Sequence, residues 1–365
     1  MIEDVLRHLE ALVAFDTRNP PRAIAAEGGI FAYLRAALPG FAHTLSDHGA
    51  GAVSLLSVRG EPTTLFNVHL DTVPATDGWN GNPLALRIDA ERAYGLGACD
   101  IKGAAAAMLA AAEETDEPFA VLFSSDEEAN DARCVPSFLR AAHGFRRVVV
   151  AEPTGARAVL AHRGIVSARA AFKGVAGHAS EPRALADSAV HRAVLWAARA
   201  LGWAQTQVDA VFGELRGVPL NLGRIVGGVK GNVIAPSCEV RFGFRPLPSQ
   251  SVDDLLGMFR GMASPRELDV LEELFRGPPL PAGAGSGAER QVVAAQAFAN
   301  ALGLPVGPAV GFWTEASLFS AAGLDAIVYG PGDIAQAHGP DEWVALAELA
   351  EVAQAYRRMI SERRL

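Results

Sequence analysis

The stretch AVLFSSDEEAND, residues 120–131, joins an apolar run to three consecutive carboxylates, Asp126, Glu127 and Glu128. An unbroken apolar run of this length is typical of a buried strand in a parallel sheet. Carboxylates so close together raise one another's pKa, and burying them is costly unless a cation lies among them. The stretch contains no lysine or arginine, so the neutralising charge must come from elsewhere.

Apolar runs that also resemble buried strands occur at three other places, 63–70, 146–152 and 325–330. Helical patterns separate the runs, at 2–14, 27–38, 100–114, 134–143, 288–302 and 343–361. Alternation of continuous apolar strands with helices favours a largely parallel sheet that is buried on both faces. We therefore predict an α/β fold, with a mostly parallel-sheet catalytic domain covered by helices on both faces.

The middle of the chain follows a different pattern of elements. Strand patterns at 163–174, 219–228, 238–246 and 268–276 alternate with helical patterns at 184–204 and 251–262. Their order, β-α-β-β-α-β, is that of a ferredoxin-like α+β domain. The chain of 365 residues is also longer than one ordinary core requires. We expect a catalytic domain in two parts, 1–162 and 278–365, with a smaller domain inserted at 163–277.

The charge and cysteine content exclude several classes of protein. Net charge is −9, from 32 basic and 41 acidic residues, and no basic run occurs, so neither nucleic acid nor a membrane is an expected partner. Cys99, Cys134 and Cys238 are scattered and odd in number, which favours a reduced, cytoplasmic setting. Residues 1–10 predict an amphipathic helix rather than a secretion signal, and the alanine-rich segment 103–112 is too short to span a bilayer.

Polar residues follow the predicted strands where each strand ends. In open α/β sheets, ligands bind beyond the carboxyl ends of the strands. The side chains at these ends, together with one at the start of a predicted helix, are His69, Asp71, Asp100, Glu127, Glu128, Glu152 and His338. Histidines and carboxylates without cysteine suit a pair of zinc ions, with cobalt or manganese as substitutes. Two divalent ions would supply the positive charge that the carboxylates require.

Each of these residues also has a purely structural interpretation. His69 and His338 could be ordinary strand-end and surface histidines, and Asp100 could cap the helix that begins after it. The glutamates after the quoted strand could lie in a solvated loop, and Glu152 could belong to a turn. The metal-site interpretation is favoured because it explains why all of these residues fall at strand ends or at a helix start.

Five motifs occur in order along the chain: HLDTVP (69–74), GACDIKG (97–103), SSDEE (124–128), VAEPT (150–154) and GHAS (177–180). Together they resemble the motifs of the co-catalytic zinc amidohydrolase and peptidase family. The resemblance extends over nearly the whole chain, from FDTRNPP (15–21) to GPGDIAQAHGPDEW (330–343). It implies an enzyme that hydrolyses the amide bond of an N-acyl amino acid with two divalent metal ions, zinc or cobalt.

The resemblance also implies which residues hold the metal ions. Asp100 would bridge the two ions. His69 and Glu152 would complete one site, and Glu128 and His338 would complete the other. A glutamate rather than an aspartate at position 152 favours the deacylases and aminopeptidase-type members of the family over its carboxypeptidases.

Further catalytic roles follow from the same resemblance. Glu127 would act as the general base on the water between the metal ions. Asp71 would orient the imidazole of His69. Members of the family tend to have a cis peptide bond after the bridging aspartate, which here lies between Asp100 and Ile101.

The inserted domain contributes candidates of its own. His178, in GHAS, would stabilise the oxyanion in the active site of the partner subunit, which implies a homodimer formed through a lid and dimerisation domain. Asn232 and Arg245 match positions that bind the substrate carboxylate, and arginine suits this role because it pairs bidentately with carboxylates. Arg241 is a near neighbour and could take the role of Arg245 instead.

The last part of the chain adds predicted substrate contacts. The loop FWTEAS resembles a substrate-contacting loop, with Thr314 and Glu315 as contacts, and Gly330 would allow a close approach of the backbone. Together with FDTRNPP and CDIKG, this loop resembles the arginine-biosynthesis branch of the family, and GPGDIAQAHGPDEW most resembles the members of that branch that act on acetylcitrulline. The resemblance therefore implies N-acetyl-L-citrulline as the substrate, with N-acetyl-L-ornithine or another N-acyl amino acid as the alternative. A non-catalytic relative would lack a ligand or the base, and none is missing. A nucleotide-binding protein would need a third glycine where Ile101 stands.

Overall fold

The computed structural model describes residues 1–21, 24–129, 132–283 and 285–361. Its helices are α1 (Ile2–Ala14), α2 (Gly29–Ala37), α3 (Gly103–Glu113), α4 (Cys134–Arg140), α5 (Ala184–Asp187), α6 (Ala189–Thr206), α7 (Val252–Gly261), α8 (Ser286–Ala301), α9 (Ala316–Ala321) and α10 (Leu346–Ser361). Its strands are β1 (Ala42–Asp47), β2 (Val53–Arg59), β3 (Thr64–His69), β4 (Arg87–Ile88), β5 (Arg92–Tyr94), β6 (Phe119–Ser124), β7 (Arg147–Val150), β8 (Ile165–Lys173), β9 (Val211–Phe212), β10 (Leu215–Arg216), β11 (Leu220–Gly227), β12 (Ser237–Phe244), β13 (Leu268–Gly277), β14 (Asp325–Val328) and β15 (Trp343–Ala345).

The larger sheet has the strand order β1-β2-β6-β3-β7-β14. Strands β6, β3, β7 and β14 are parallel, whereas β1 and β2 extend the sheet as an antiparallel hairpin. All side chains of β3 and β6 are buried, which explains why these strands read as continuous apolar runs. In the register, His69 pairs with Ser124 and Asn67 pairs with Val150, so the ends of β3, β6 and β7 meet at one edge.

Helices cover this sheet and explain the alanine-rich segment. Helix α3 is buried from Gly103 to Ala112, and it packs against α1 and α10. Small side chains allow this close packing on several sides of one helix. Helix α9 contacts β7 and β14. The fold class expected from the sequence, a mostly parallel sheet covered by helices, is confirmed.

Strands β11, β12, β8 and β13 form a second sheet in this order, and every neighbouring pair is antiparallel. This is the strand order of a ferredoxin-like domain. Burial alternates along β8 and β12, so one face of the sheet is covered. On that face Trp196, on α6, packs against Phe242 with ring centroids 5.0 Å apart, and its Nε1–H donates to the carbonyl of Phe259.

The chain divides into two compact units. The first comprises Met1–Leu160, Gln291–Pro308 and Thr314–Leu365, of which residues 362–365 lie outside the described part. The second comprises Ala161–Arg290 and Ala309–Trp313. The segment 163–277, expected from sequence to be the inserted domain, falls within the second unit. Its assignment as a lid and dimerisation domain stays a prediction.

Two local features differ from the expected pattern. Residues Trp343–Ala345 form strand β15, paired with β5, where a helix was expected to begin. The guanidinium of Arg92 lies 3.9 Å from the centroid of the Trp343 ring across this pair. Asp100 is not at a helix start, because it lies in an irregular turn and α3 begins at Gly103. Segments this short carry no periodicity that separates strand from helix.

Two expectations drawn from composition concern membranes and disulfides. Among the helices that the structure describes, none combines the length and the apolarity needed to cross a bilayer. The thiols of Cys99, Cys134 and Cys238 are all free and buried. Free thiols agree with the odd number and scattered positions of the cysteines in the sequence.

Candidate metal centre

Asp100 lies at the centre of a cluster of histidines and carboxylates at the carboxyl edge of the larger sheet. Its Oδ1 is 3.1 Å from Nε2 of His69, and its Oδ2 is 3.2 Å from Nε2 of His338. The two oxygens of one carboxylate therefore face two different imidazoles, which is the arrangement that a bridging ligand needs. The peptide bond between Asp100 and Ile101 is cis, as the resemblance implied.

Two groups of three potential ligands share Asp100. One consists of His69, Asp100 and Glu152, and the other of Asp100, Glu128 and His338, with the donor atoms of each group within 4.8 Å of one another. In the second group, Nε2 of His338 lies 2.9 Å from Oε1 of Glu128. The structure thus brings together all five residues expected to be ligands, in the two sets that the resemblance implied. Their role as ligands stays a prediction.

Asp71 holds the surrounding residues in place through a fully buried carboxylate. Its Oδ2 accepts hydrogen bonds from the backbone N–H of Glu128 and from Nδ2 of Asn19, both at 3.0 Å, and its Oδ1 accepts one from the N–H of Glu127 at 3.3 Å. Nδ1 of His69 lies 3.0 Å from the backbone carbonyl of Asp71. Because a carbonyl can only accept, Nδ1 carries the proton and Nε2 of the neutral imidazole keeps a lone pair for a ligand.

The glutamates of the cluster lie in a repulsive environment. Burial raises the pKa of Glu127 well above its usual value, and the charge of Glu128 raises it further. Burial also raises the pKa of Glu152, with the charge of Asp100 as the next cause. The pKa of Glu128 is raised by burial in spite of its hydrogen bond with His338. These carboxyls need nearby cations to be ionised at neutral pH.

The imidazoles of His69 and His338 are the groups of the cluster that can carry positive charge without a metal ion. Burial disfavours the charged form of His69, but hydrogen bonds with Asp100 and Asp71 outweigh it and raise its pKa well above the usual value. Hydrogen bonds with Asp100 and Glu128 raise the pKa of His338 to about 10. Burial also opposes ionisation of Asp100, yet the two imidazoles hold the pKa of this carboxyl below its usual value.

The residues present fit a pair of divalent ions. Two imidazoles and three carboxylates form a nitrogen and oxygen donor set that zinc and related ions accept. Oε1 of Glu152 is buried and has no hydrogen-bond partner among the described residues, as expected of an oxygen reserved for a ligand. Divalent ions would displace protons from His69 and His338 and offset the repulsion among the glutamates.

Two charged residues beside the centre have other partners. Oδ2 of Asp126 accepts the backbone N–H groups of Arg133 and Cys134, at 2.6 and 2.9 Å, which links the end of β6 to the start of α4. Lys102 is fully buried, and its Nζ donates to the carbonyl of Phe15 at 2.9 Å. Burial lowers the pKa of Lys102 to about 7, so this lysine is a weak source of positive charge at neutral pH.

Sequence reasoning did not identify two buried polar residues, Asn19 and Glu342. Nδ2 of Asn19 donates to Asp71 and, at 3.4 Å, to the carbonyl of Ser125. The carboxylate of Glu342 accepts three backbone N–H groups from the segment 97–100. Both residues lie in motifs that carried the family resemblance, FDTRNPP and GPDEW. A polar residue without an assigned role inside such a motif was the signal that could have found them.

The predicted substrate contacts of the first unit are buried. Thr314 and Glu315 immediately precede α9, and Oε2 of Glu315 accepts a hydrogen bond from the hydroxyl of Ser124 at 2.8 Å. Burial raises the pKa of Glu315 to about 8. A Cβ at Gly330 would lie 2.6 Å from the carbonyl oxygen of Glu152, so this position needs glycine for packing alone. Contact of these three residues with substrate stays a prediction.

His178 and Asn232 lie on adjacent segments of the second unit. His178 pairs with Val233 in an antiparallel bridge, and the N–H of Ala179 donates to the carbonyl of Asn232 at 3.0 Å. The backbone N–H of Ser180 donates to Nδ1 of His178 at 3.3 Å. Because Nδ1 accepts this bond, the proton of the neutral imidazole is on Nε2. His178 is exposed, so this Nε2–H group is accessible as a donor.

Arg245 lies at the opposite end of β12 from Asn232, since Asn232 precedes the strand and Arg245 follows it. Strand β12 has 8 residues. A strand of this length spans about 24 Å and lies between the two residues along the chain. Binding of the substrate carboxylate by Asn232 or Arg245 stays a prediction. The alternative residue, Arg241, is on β12 itself, and its Nε lies 3.0 Å from Oε1 of Glu239.

The profile described as peptidase family M20/M25/M40 matches residues 65–362. The chain therefore belongs to this family. The enzyme class expected from the motifs, a metal-dependent amidohydrolase, is confirmed by this membership.

Two relatives within the family are similar to the chain over most of its length. It is 56% identical over 361 residues to the N-acetyl-L-citrulline deacetylase of Xanthomonas campestris pv. campestris, covering 99% of this chain and 98% of the relative. It is 31% identical over 313 residues to the acetylornithine deacetylase of Salmonella typhimurium, covering 81% and 76% of the two chains.

Solved structures share the fold at low sequence identity. Aminopeptidase PepT of Bacillus cereus aligns with a TM-score of 0.72 at 18% identity, covering 99% of this chain and 98% of its own. The YXEP protein of Bacillus subtilis, described as a dinuclear metal binding peptidase, aligns with a TM-score of 0.65 at 13% identity, covering 98% and 97%.

The ligand assignment predicts how stabilisation by metal depends on pH. Raised pKa values mean that Glu128, Glu152 and His338 hold protons which a metal ion must displace. Each displaced proton weakens binding by about 1.4 kcal/mol per pH unit below that pKa. The metal-free fold also loses stability as pH rises above about 4.5, because the folded state keeps protons on these glutamates that the unfolded chain releases. The increase in Tm on adding zinc or cobalt should therefore grow between about pH 5 and pH 7.

Differential scanning fluorimetry of chelator-treated protein, with and without metal at each pH, measures this increase. His338→Ala should reduce it, whereas His43→Ala, which removes a histidine of β1 outside the centre, should leave it unchanged. An increase of the same size at both ends of the pH range would contradict the assignment.

Proposed function

We propose that the chain hydrolyses the acetyl amide of N-acetyl-L-citrulline to L-citrulline and acetate, in arginine biosynthesis. The observation that carries the proposal is the 56% identity, over 99% of the chain, to a relative of that name. The two ligand groups that share Asp100 support the metal-dependent chemistry. N-acetyl-L-ornithine is the second candidate substrate, supported by the acetylornithine deacetylase relatives at lower identity.

Five residues would hold two divalent ions: His69, Asp100, Glu128, Glu152 and His338. When bound, such ions polarise the carbonyl of the substrate and lower the pKa of a water molecule toward neutrality. We assign the ions as zinc or cobalt because the donors are nitrogen and oxygen atoms. The description of the Bacillus subtilis relative as dinuclear supports two ions rather than one.

Glu127 is the proposed general base, with Asp71 as the residue that positions it. The hydrogen bond from its own N–H to Asp71 fixes the backbone from which the Glu127 carboxyl projects. In its ionised form, which nearby cations favour, the Glu127 carboxylate can accept a proton from water and then return it to the leaving amine. The backbone carbonyl of the same Asp71 orients His69, so base and ligand are held by one residue.

His178 is the proposed donor to the oxyanion, and Arg245 is the proposed ligand of the substrate carboxylate. The Nε2–H group of His178 is free to donate because Nδ1 accepts from Ser180. Asn232 lies beside His178, whereas Arg245 lies beyond the far end of β12. We therefore propose that one active site combines Arg245 of its own chain with His178 and Asn232 of the partner subunit.

A homodimer through the second unit supplies this arrangement. Strand β11 forms one edge of its sheet, and Ile225 and Val226 on that strand are 47% and 50% exposed. An apolar edge strand of this kind is normally covered by another chain or element. Pairing with β11 of a second copy would cover it. The three free thiols support a reduced, cytoplasmic location.

The function is tested by measuring turnover of N-acetyl-L-citrulline and N-acetyl-L-ornithine with zinc or cobalt added. We expect kcat/KM to be higher for the citrulline substrate by roughly tenfold or more. A site built to hydrogen-bond the neutral ureido group of citrulline would leave some of its own polar groups unpaired when the ammonium of ornithine is bound instead. A preference for N-acetyl-L-ornithine would replace the first candidate by the second. Turnover of neither would overturn both.

Glu127→Gln should remove the base and keep its shape. We expect kcat to fall by roughly 10²- to 10⁴-fold while the number of metal ions per chain is unchanged. Steady-state kinetics and elemental analysis measure the two quantities. The control Glu61→Gln removes an exposed carboxylate outside the centre and should behave like the wild type. If Glu127→Gln retains most of its activity, the base is another group.

Sharing of His178 between subunits predicts complementation. Glu127→Gln and His178→Ala should each be inactive alone, and mixing them should restore about a quarter of wild-type activity, since half of the dimers are mixed and one of their two sites is intact. Subunit exchange is checked by native mass spectrometry. No activity in a mixture that has exchanged would exclude the shared site.

A further inference from the structure

Glu342 is a buried carboxylate that the proposed mechanism does not use. It lies just before β15, and 2% of it is exposed. Its backbone carbonyl accepts the N–H of Gly95 at 3.0 Å, so its position is fixed at both ends of the residue. A carboxylate removed from water in this way is costly unless its oxygens have strong partners.

The partners of Glu342 are all backbone N–H groups of one loop. Oε1 accepts hydrogen bonds from Cys99 and Asp100, each at 2.9 Å, and Oε2 accepts one from Gly97, also at 2.9 Å. Burial raises the pKa of Glu342 to about 7, and these three N–H donors oppose the increase by favouring the ionised form. One side chain therefore holds the backbone of three of the four residues 97–100. The last of these, Asp100, carries the central carboxylate of the metal centre.

The loop depends on this outside partner because of its backbone conformation. Asp100 and Ile101 have non-helical dihedral angles, with φ −120° and ψ 86° at Asp100. The backbone N–H groups of the loop 97–100 therefore cannot find their hydrogen-bond acceptors through an extension of helix α3. Gly97 has a φ of +79°, and a Cβ at this position would lie 2.6 Å from Cγ2 of Thr72. The loop thus has little room for an alternative path.

We propose that Glu342 is a positioning residue for the metal centre. By holding the loop 97–100, its carboxylate sets the direction of the Asp100 side chain, so that Oδ1 faces His69 and Oδ2 faces His338. A displacement of the loop would move both oxygens at once and disturb both ligand groups. The inference rests on the proposed role of Asp100 as a ligand shared by the two groups.

The test compares Glu342→Gln with Glu351→Gln. Both changes replace a carboxyl by an amide in the C-terminal part of the chain, but Glu351 is exposed on α10 and outside the centre. In Glu342→Gln one acceptor oxygen is replaced by an NH₂ group, which cannot accept an N–H bond from the loop. Cobalt affinity, by competition with a chromophoric chelator, and the visible spectrum of bound cobalt are measured for each variant.

Glu342→Gln should bind cobalt roughly 10- to 100-fold more weakly and with a changed spectrum, since groups that orient metal ligands have effects of this size. Glu351→Gln should match the wild type. Leu34→Ala, a core change on α2, controls for loss of stability and should lower Tm without changing the spectrum. Wild-type affinity and spectrum in Glu342→Gln would overturn the inference.

A measurement on the wild type covers the case in which Glu342→Gln does not fold. Hydrogen–deuterium exchange of peptides spanning 96–101 should show protected amides in the metal-loaded and metal-free protein, because their acceptor belongs to the chain. Rapid exchange of these amides in the metal-free protein would overturn the inference. Asp100→Ala is read in the same cobalt assay, and wild-type affinity there would refute the ligand assignment instead. Turnover of N-acetyl amino acids is not used in any of these measurements.

Discussion

The mutual repulsion of carboxylates at one buried edge of a sheet is the constraint on which this molecule depends. Where a carboxylate has a structural task, the chain offsets its charge with backbone N–H groups. Asp71 accepts two from the loop after β6, Asp126 accepts two from the start of α4, and Glu342 accepts three from the loop 97–100. Oε1 of Glu152 instead has no hydrogen-bond partner among the described residues, which supports its proposed role as a ligand of a cation.

The parallel sheet determines where these groups meet. Neighbouring strands lie about 4.8 Å apart, so side chains just beyond the ends of β3, β6 and β7 fall within ligand distance without long connecting loops. Strand β3 lies between β6 and β7 in the sheet, which puts His69 next to both glutamate-bearing ends. The same geometry concentrates negative charge. The raised pKa values of the glutamates are therefore a consequence of the topology as well as of burial.

In the second unit, the candidate substrate contacts lie at the two ends of one strand rather than at neighbouring strand ends. Strand β12 lies between Asn232 and Arg245 along the chain, whereas the bridge of His178 to Val233 keeps His178 close to Asn232. In the proposed homodimer, a small substrate could contact both ends of this strand in two copies of the chain. This separation, together with the exposed apolar edge at β11, gives the proposed homodimer a catalytic reason.

The parallel strands of the larger sheet, the inserted ferredoxin-like pattern and the identity of the potential ligands were predictable from the sequence, because strand-end residues and apolar runs are local features. The antiparallel strands β1 and β2 were not predicted. The tertiary structure alone decided the partners of Asn19 and Glu342, the opposite placement of Asn232 and Arg245, and the short strand β15. The bond from Asp100 to Glu342 joins residues 242 positions apart, and such a contact leaves no periodic trace in either segment. The sequence by itself thus indicated which groups could carry the chemistry, whereas long-range hydrogen bonds decided how they are held.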